Sequence, residues 1–231
     1  MDPQRSATRL ASQLGAGALV LIGAAFLFGT IAQQVVAGAP LTQLDAHLAT
    51  WLHRRVGSPW LELLFAITHL HSTVAVSCYA IVAAIVLARQ RRWRSVVTVI
   101  VTVAGGLTLN VLMKLAFQRP RPSFDDPLLT LNTYSFPSGH VAGSTLFYGL
   151  CVAWVYRRTP RLRWRLAALA CAAVALVLVG LSRMYLGVHY LSDVVAAFAE
   201  GVAWLALCLT ALHAFWRDRA PPHAAGGTAA H

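Results

Sequence analysis

Eight residues in three short segments have the types and spacing to handle a phosphate. Lys114 and Arg121 lie in "KLAFQRPRP" at 114–122, Ser138, Gly139 and His140 in "SFPSGH" at 135–140, and Arg183, His189 and Asp193 in "SRMYLGVHYLSD" at 182–193. Arginine offers a fork of donors matched to phosphate oxygens, and lysine adds a point charge. Lys114 is the one lysine among nineteen cationic residues. Pro137 precedes a predicted helix start, where Ser138, Gly139 and His140 present backbone N–H groups free of intrahelical partners, a natural anion site. His189 and Asp193 are four apart. If both sit on one helix they share a face, so the carboxylate orients one ring nitrogen and leaves the other free as a nucleophile or base. His140 titrates in the right range for a general acid.

These segments need a scaffold that brings them together, and the composition says which. The chain has 231 residues, 58% of them hydrophobic and only 12% charged, about half the charged fraction of soluble domains. Long apolar runs point to an all-α, polytopic membrane protein. Spans are expected near 15–36, 63–88, 95–114, 138–156, 166–182 and 190–213, a six-helix domain over 1–216 followed by a disordered tail at 217–231. The first run is longer than a signal peptide core and reads as an uncleaved helix. Residues 41–56 place Leu41, Leu44, Leu48, Trp51, Leu52 and Val56 at helical spacing. They read as an extracytoplasmic amphipathic helix, either lying in the membrane interface or packed on the bundle surface.

With six spans and a cytoplasmic N-terminus, thirteen of the nineteen cationic residues fall on the cytoplasmic side. The positive-inside bias therefore puts both termini in the cytoplasm. Trp93, Trp154, Trp164 and Trp216 fall near that interface. The three phosphate-competent segments then share the opposite, extracytoplasmic face. The net charge of +11 belongs to these loops and does not indicate a nucleic-acid partner. The four cysteines lie inside apolar runs without CxxC spacing and read as small packing residues.

Read in order, the segments resemble the type 2 phosphatidic acid phosphatase (PAP2) superfamily of membrane lipid phosphatases. Lys114 with Arg121-Pro122 fits its K-x6-R-P motif, Pro137–His140 its P-S-G-H, and Ser182-Arg183 with His189 and Asp193 its S-R-x5-H-x3-D. The resemblance implies that His189 attacks phosphorus to form a phosphohistidine and Asp193 orients it. It implies that His140 protonates the leaving oxygen and then activates water. Lys114, Arg121, Ser138, Gly139 and Arg183 would bind the phosphoryl oxygens, with no metal or other cofactor. The partners implied are the bilayer and a lipid phosphate, with undecaprenyl diphosphate, phosphatidylglycerol phosphate and phosphatidic acid as candidates, at a bacterial inner membrane. A phosphotransferase and a lipid or phosphate transporter remain alternatives. A zinc site built from two His and one Asp is a rival, opposed by the surrounding cations. Arg119 reads as a rim cation, His69 and His71 as structural, Asp125 and Asp126 as loop solvation. Glu200 is an intramembrane acid in need of a partner.

Overall fold

A computed structural model of the chain describes residues 3–55, 57 and 60–218, so the 219–231 part of the expected disordered tail lies outside the described residues. The elements are eight helices: α1 (Pro3–Val36), α2 (Pro40–His53), α3 (Trp60–Leu70), α4 (Thr73–Arg89), α5 (Trp93–Phe117), α6 (Gly139–Arg158), α7 (Leu162–Tyr185) and α8 (Leu191–Asp218). There is no strand among the described residues.

The breaks have local causes. Pro40 opens α2, where its missing N–H costs nothing. Ser72 caps α4 by accepting from the Ala75 N–H at 3.1 Å. Gln118 ends α5 in the left-handed conformation, and Pro120 and Pro122 prevent its continuation.

Four helical stretches are long and apolar enough to cross a bilayer: Ala11–Val36, Trp93–Phe117, Leu162–Tyr185 and Leu191–Trp216. The expected span at 63–88 is instead two helices, α3 and α4, bent by 45° at His71–Ser72, which together make a fifth. The expected count of six is therefore not reached on length and composition. α6 falls short because its first turns carry Gly139, His140, Ser144 and Thr145 and its last turn carries Arg157 and Arg158.

The bundle is apolar outside and polar within. Leu19, Phe26 and Val74 are exposed, whereas Arg183 is the largest fully buried side chain. Hydrocarbon surroundings favour this inversion, because a polar group facing lipid has no water to bond. α8 is the central element, packing against α1, α2, α5, α6 and α7. Near its start, Phe136 sits with Phe28 and Phe117 at ring distances of 5.7 and 5.0 Å. This cluster fixes the chain that leads into Ser138. At the far end arginines stack on indoles, Arg94 on Trp216, Arg158 on Trp154 and Arg163 on Trp164.

α2 corrects the expected amphipathic face. The side it buries is Asp45, Ala49 and Leu52, while Leu44 and Trp51 stay 53% and 48% exposed. It is packed on the bundle, against α1, α7 and α8, through a face that includes a carboxylate.

α6 and α8 approach closely at Gly201. A β-carbon there would stand 2.8 Å from the Thr145 side chain and 3.4 Å from the Ala142 carbonyl. Gly201→Ala is expected to destabilise the bundle by about 1–3 kcal/mol through overpacking, read as a lower thermal unfolding midpoint in detergent. An unchanged midpoint would show that α6 and α8 can separate freely.

Candidate active site

All three motif segments meet at one end of the bundle. Lys114 is in the last turn of α5, Ser138 caps α6, Arg183 is in the last turn of α7, and Asp193 is in the first turn of α8. Arg121 comes from the α5–α6 connection and His189 from the α7–α8 connection. Gly187, at φ +71° and with no room for a β-carbon beside Phe124, allows that connection to turn sharply.

His189 is not on a helix with Asp193, as its spacing suggested. It lies just before α8, and the chain curls so that Asp193, in the first turn, faces back. The Asp193 Oδ2 accepts the Tyr190 N–H at 2.9 Å, half of a capping box. The same oxygen lies 3.3 Å from His189 Nδ1. The other ring nitrogen, Nε2, is 3.2 Å from Arg121 Nη1. A guanidinium can only donate, so this bond places the lone pair on Nε2 and the proton on Nδ1, which donates to Asp193. Burial first, and then the charges of Arg121, Arg183 and Lys114, holds the His189 pKa well below its ordinary value. The ring is thus neutral, with its lone pair turned toward Arg121.

Arg121 is clamped by acceptors. It donates to the Thr133 carbonyl at 2.7 Å, the Val188 carbonyl at 2.6 Å, Thr133 Oγ1 at 2.9 Å and the Tyr134 carbonyl at 3.1 Å. Burial lowers its pKa, and Asp193 opposes that shift. Lys114 Nζ donates to the Tyr134 carbonyl at 2.8 Å. Arg183 Nη1 donates to Thr68 Oγ1 at 2.5 Å, which ties it to α3. His140, second residue of α6, stands where the charges of Arg183, Arg121 and Lys114 all reach it.

Two buried polar atoms of the expected site, Ser138 Oγ and Arg183 Nε, have no hydrogen-bond partner. Both belong to motif residues, and a bound oxyanion would satisfy them. One expectation shifts by a residue: the Ser138 N–H donates to the Asp193 carbonyl at 3.1 Å. The donors left by the geometry of the first turn are those of Gly139, His140 and Val141.

Arg119 is not a rim cation. It is only 9% exposed and donates to Asp193 Oδ1 at 2.6 Å, Ser192 Oγ at 2.7 Å and Asp45 Oδ2 at 2.8 Å. Its guanidinium lies 4.2 Å from the centre of the Tyr190 ring. Asp45 also accepts the Ser192 N–H at 3.0 Å and the Ser192 hydroxyl. Sequence reasoning missed Asp45. The available signal was its helical register with Ala49 and Leu52, which sets an acid among small and apolar residues. Thr68 was missed as well.

The remaining polar residues are structural. His71 bonds the Ile67 carbonyl and Tyr148 OH at 2.8 and 2.7 Å, bracing the bend between α3 and α4. Glu200 accepts from Asn110 Nδ2 at 2.8 Å. Asp126 pairs with His53 at 2.9 Å, and that bond lowers the Asp126 pKa. Among the described residues no His, Cys, Asp or Glu group has the arrangement to hold a metal ion.

The family model described as the PAP2 superfamily matches residues 95–217, more than half of the chain. Phosphatidylglycerophosphatase B of Bacillus subtilis is 33% identical over 150 residues, 64% of this chain and 73% of that protein. Lipid A 1-phosphatase of Rhizobium johnstonii is 37% identical over 119 residues, 48% of this chain and 43% of that protein. The crystal structure of a transmembrane PAP2 type phosphatidylglycerolphosphate phosphatase from Bacillus subtilis superposes with a TM-score of 0.74 at 24% identity, covering 87% of this chain and 98% of that one. Aquifex aeolicus LpxE gives 0.56 at 21%, covering 72% and 94%. The fold is shared with both structures, and with the motif segments inside the matched region the chain belongs to the PAP2 superfamily as an integral membrane protein.

Proposed function

We propose that the protein is a lipid phosphatase that removes a phosphoryl group from a membrane lipid through His189. The observation that carries this reading is the imidazole itself. Its Nδ1 proton is held by Asp193, its Nε2 lone pair points at Arg121, and Ser138 Oγ and Arg183 Nε of the same motif segments are buried without a partner. Nε2 attacks phosphorus, and the bond from phosphorus to the lipid oxygen breaks. That oxygen takes the electron pair and a proton from His140. Water then gives its oxygen to phosphorus and a proton to His140, while the bond from phosphorus to Nε2 breaks and Nε2 keeps the electron pair, so that inorganic phosphate leaves and His189 returns to its neutral form.

Lys114, Arg121, Arg183, Ser138 and the Gly139 N–H meet the charge on the phosphoryl oxygens, the main demand of phosphoryl transfer. The cations do this without a metal. Phosphatidylglycerol phosphate leads the candidate substrates because of the Bacillus relative, ahead of undecaprenyl diphosphate and phosphatidic acid. We place the site on the extracytoplasmic face and the arginine-rich far end in the cytoplasm, with α6 as a sixth crossing.

The test is phosphate release by detergent-purified protein in EDTA from each of the three lipids. Release in EDTA that His189→Ala abolishes is the expected result. Release that survives His189→Ala would overturn the nucleophile. No release from any of the three would move the reading to phosphotransfer or transport. Lys114→Ala is expected to slow phosphate release by about 10²-fold, the usual cost of one transition-state donor. A loss below about twofold would make Lys114 an interfacial anchor of α5.

A further inference from the structure

Asp193 is shared. One oxygen serves the Tyr190 N–H and His189, the other takes the Arg119 guanidinium. Arg119 in turn bridges to Asp45 on α2, so one guanidinium lies between two buried carboxylates. We infer that Asp45, through Arg119, is a positioning residue that sets the charge behind His189, leaving one net negative charge on the three-residue network.

Without Asp45, Arg119 would belong to Asp193 alone, and that pair would be neutral. Asp193 would still hold the ring but would no longer offset a charge on it. With Asp45, the guanidinium is divided and Asp193 keeps its strength as an acceptor. That matters at one moment. When Nε2 bonds to phosphorus while Nδ1 keeps its proton, the ring becomes cationic. Arg121 bonds the same ring, and the charges of Lys114 and Arg183 reach it, so all three oppose that cation. The negative charge that offsets it comes from Asp45–Arg119–Asp193, at short range and out of water, where a charge acts most strongly.

The packing supports a built network over an incidental surface pair. Asp45 and Asp193 have no exposed surface. Ser192 gives Asp45 both its N–H and its hydroxyl, and the Tyr190 ring lies against Arg119. Asp45 lies outside the three motif segments and comes from an element of its own.

This inference rests on the phosphatase reading, and the experiment keeps the two apart. Asp45→Asn, Arg119→Gln and the double variant are compared with wild type in detergent, using whichever of the three lipids wild type hydrolyses. The His189 Nδ1–H proton resonance is recorded with inorganic phosphate present. Asp45→Asn keeps the shape and removes the charge. It is expected to lower kcat by about tenfold or more, as loss of a partner behind a reacting or ligating histidine does. KM and inhibition by inorganic phosphate should stay within about twofold, and the Nδ1–H resonance should move upfield. The double variant restores one net negative charge, so it should be faster than Asp45→Asn alone. A latch that only holds α2 predicts no recovery, because removing Arg119 as well takes away its bonds to Asp193 and Ser192. Unchanged kcat and resonance in Asp45→Asn would overturn the inference, as would a double variant slower than Asp45→Asn. If Arg119→Gln does not fold, Asp45→Asn decides by itself. A wild type inactive on every lipid would overturn the phosphatase reading, and the resonance would still decide the charge on His189.

Discussion

Asp193 is a carboxylate with no exposed surface, and most of the functional end is arranged around it. A buried charge without partners is too costly to keep, so each polar contact it makes also fixes a piece of chain. The Tyr190 N–H and the His189 ring fix the connection into α8. Arg119 fixes the segment that leaves α5, and through Asp45 it fixes α2. The Asp193 carbonyl accepts the Ser138 N–H and seats the start of α6. One residue at the head of the central helix thus sets the relative positions of four other segments, including both that carry the histidines.

The same economy explains why the site lies at an end of the bundle. Within the apolar span the polar side chains pair off in private, as Asn110 does with Glu200. Toward the end of α5 the chain has irregular backbone to spare, and its carbonyls do the holding. Tyr134 and Thr133 carbonyls bind Lys114 and Arg121, so these cations are held in place without needing a carboxylate each. A carboxylate in the cup would compete with phosphate for the same donors. Asp193 stands on one side of the imidazole instead, and Arg121 on the other.

The residues proposed to touch the reacting group were singled out because phosphate chemistry restricts their type and their spacing. What was not legible depended on distant contacts. Asp45 meets Arg119 across 74 positions and Ser192 across 147, and nothing local in α2 announces either. Arg119 and Arg121 look equivalent in "RPRP", yet the prolines keep that stretch extended. Residues two apart then reach different partners, Arg119 toward α2 and α8, Arg121 toward His189. The α3–α4 bend was hidden because the run from 60 to 89 is apolar on both sides of it. Only Ser72, a good cap inside a hydrophobic run, marked the break. His189 was placed on the wrong backbone because an i, i+4 contact is also available to a turn that enters a helix.

α2 shows how these constraints decide behaviour. Its outer side, with Leu44 and Trp51, suits the membrane interface, and such a helix over an active site invites the idea of a lid. Its inner side argues otherwise. To swing outward, α2 must withdraw Asp45 from Arg119 and from both groups of Ser192, leaving charges in a place water does not reach. Breaking a buried pair of this kind costs about 3–5 kcal/mol, which holds an open form to about one molecule in 10² to 10⁴. α2 is therefore a wall of the site. Lipid must reach the cup past exposed groups that move at little cost, and Asp126, the exposed partner of the largely buried His53, is of that kind.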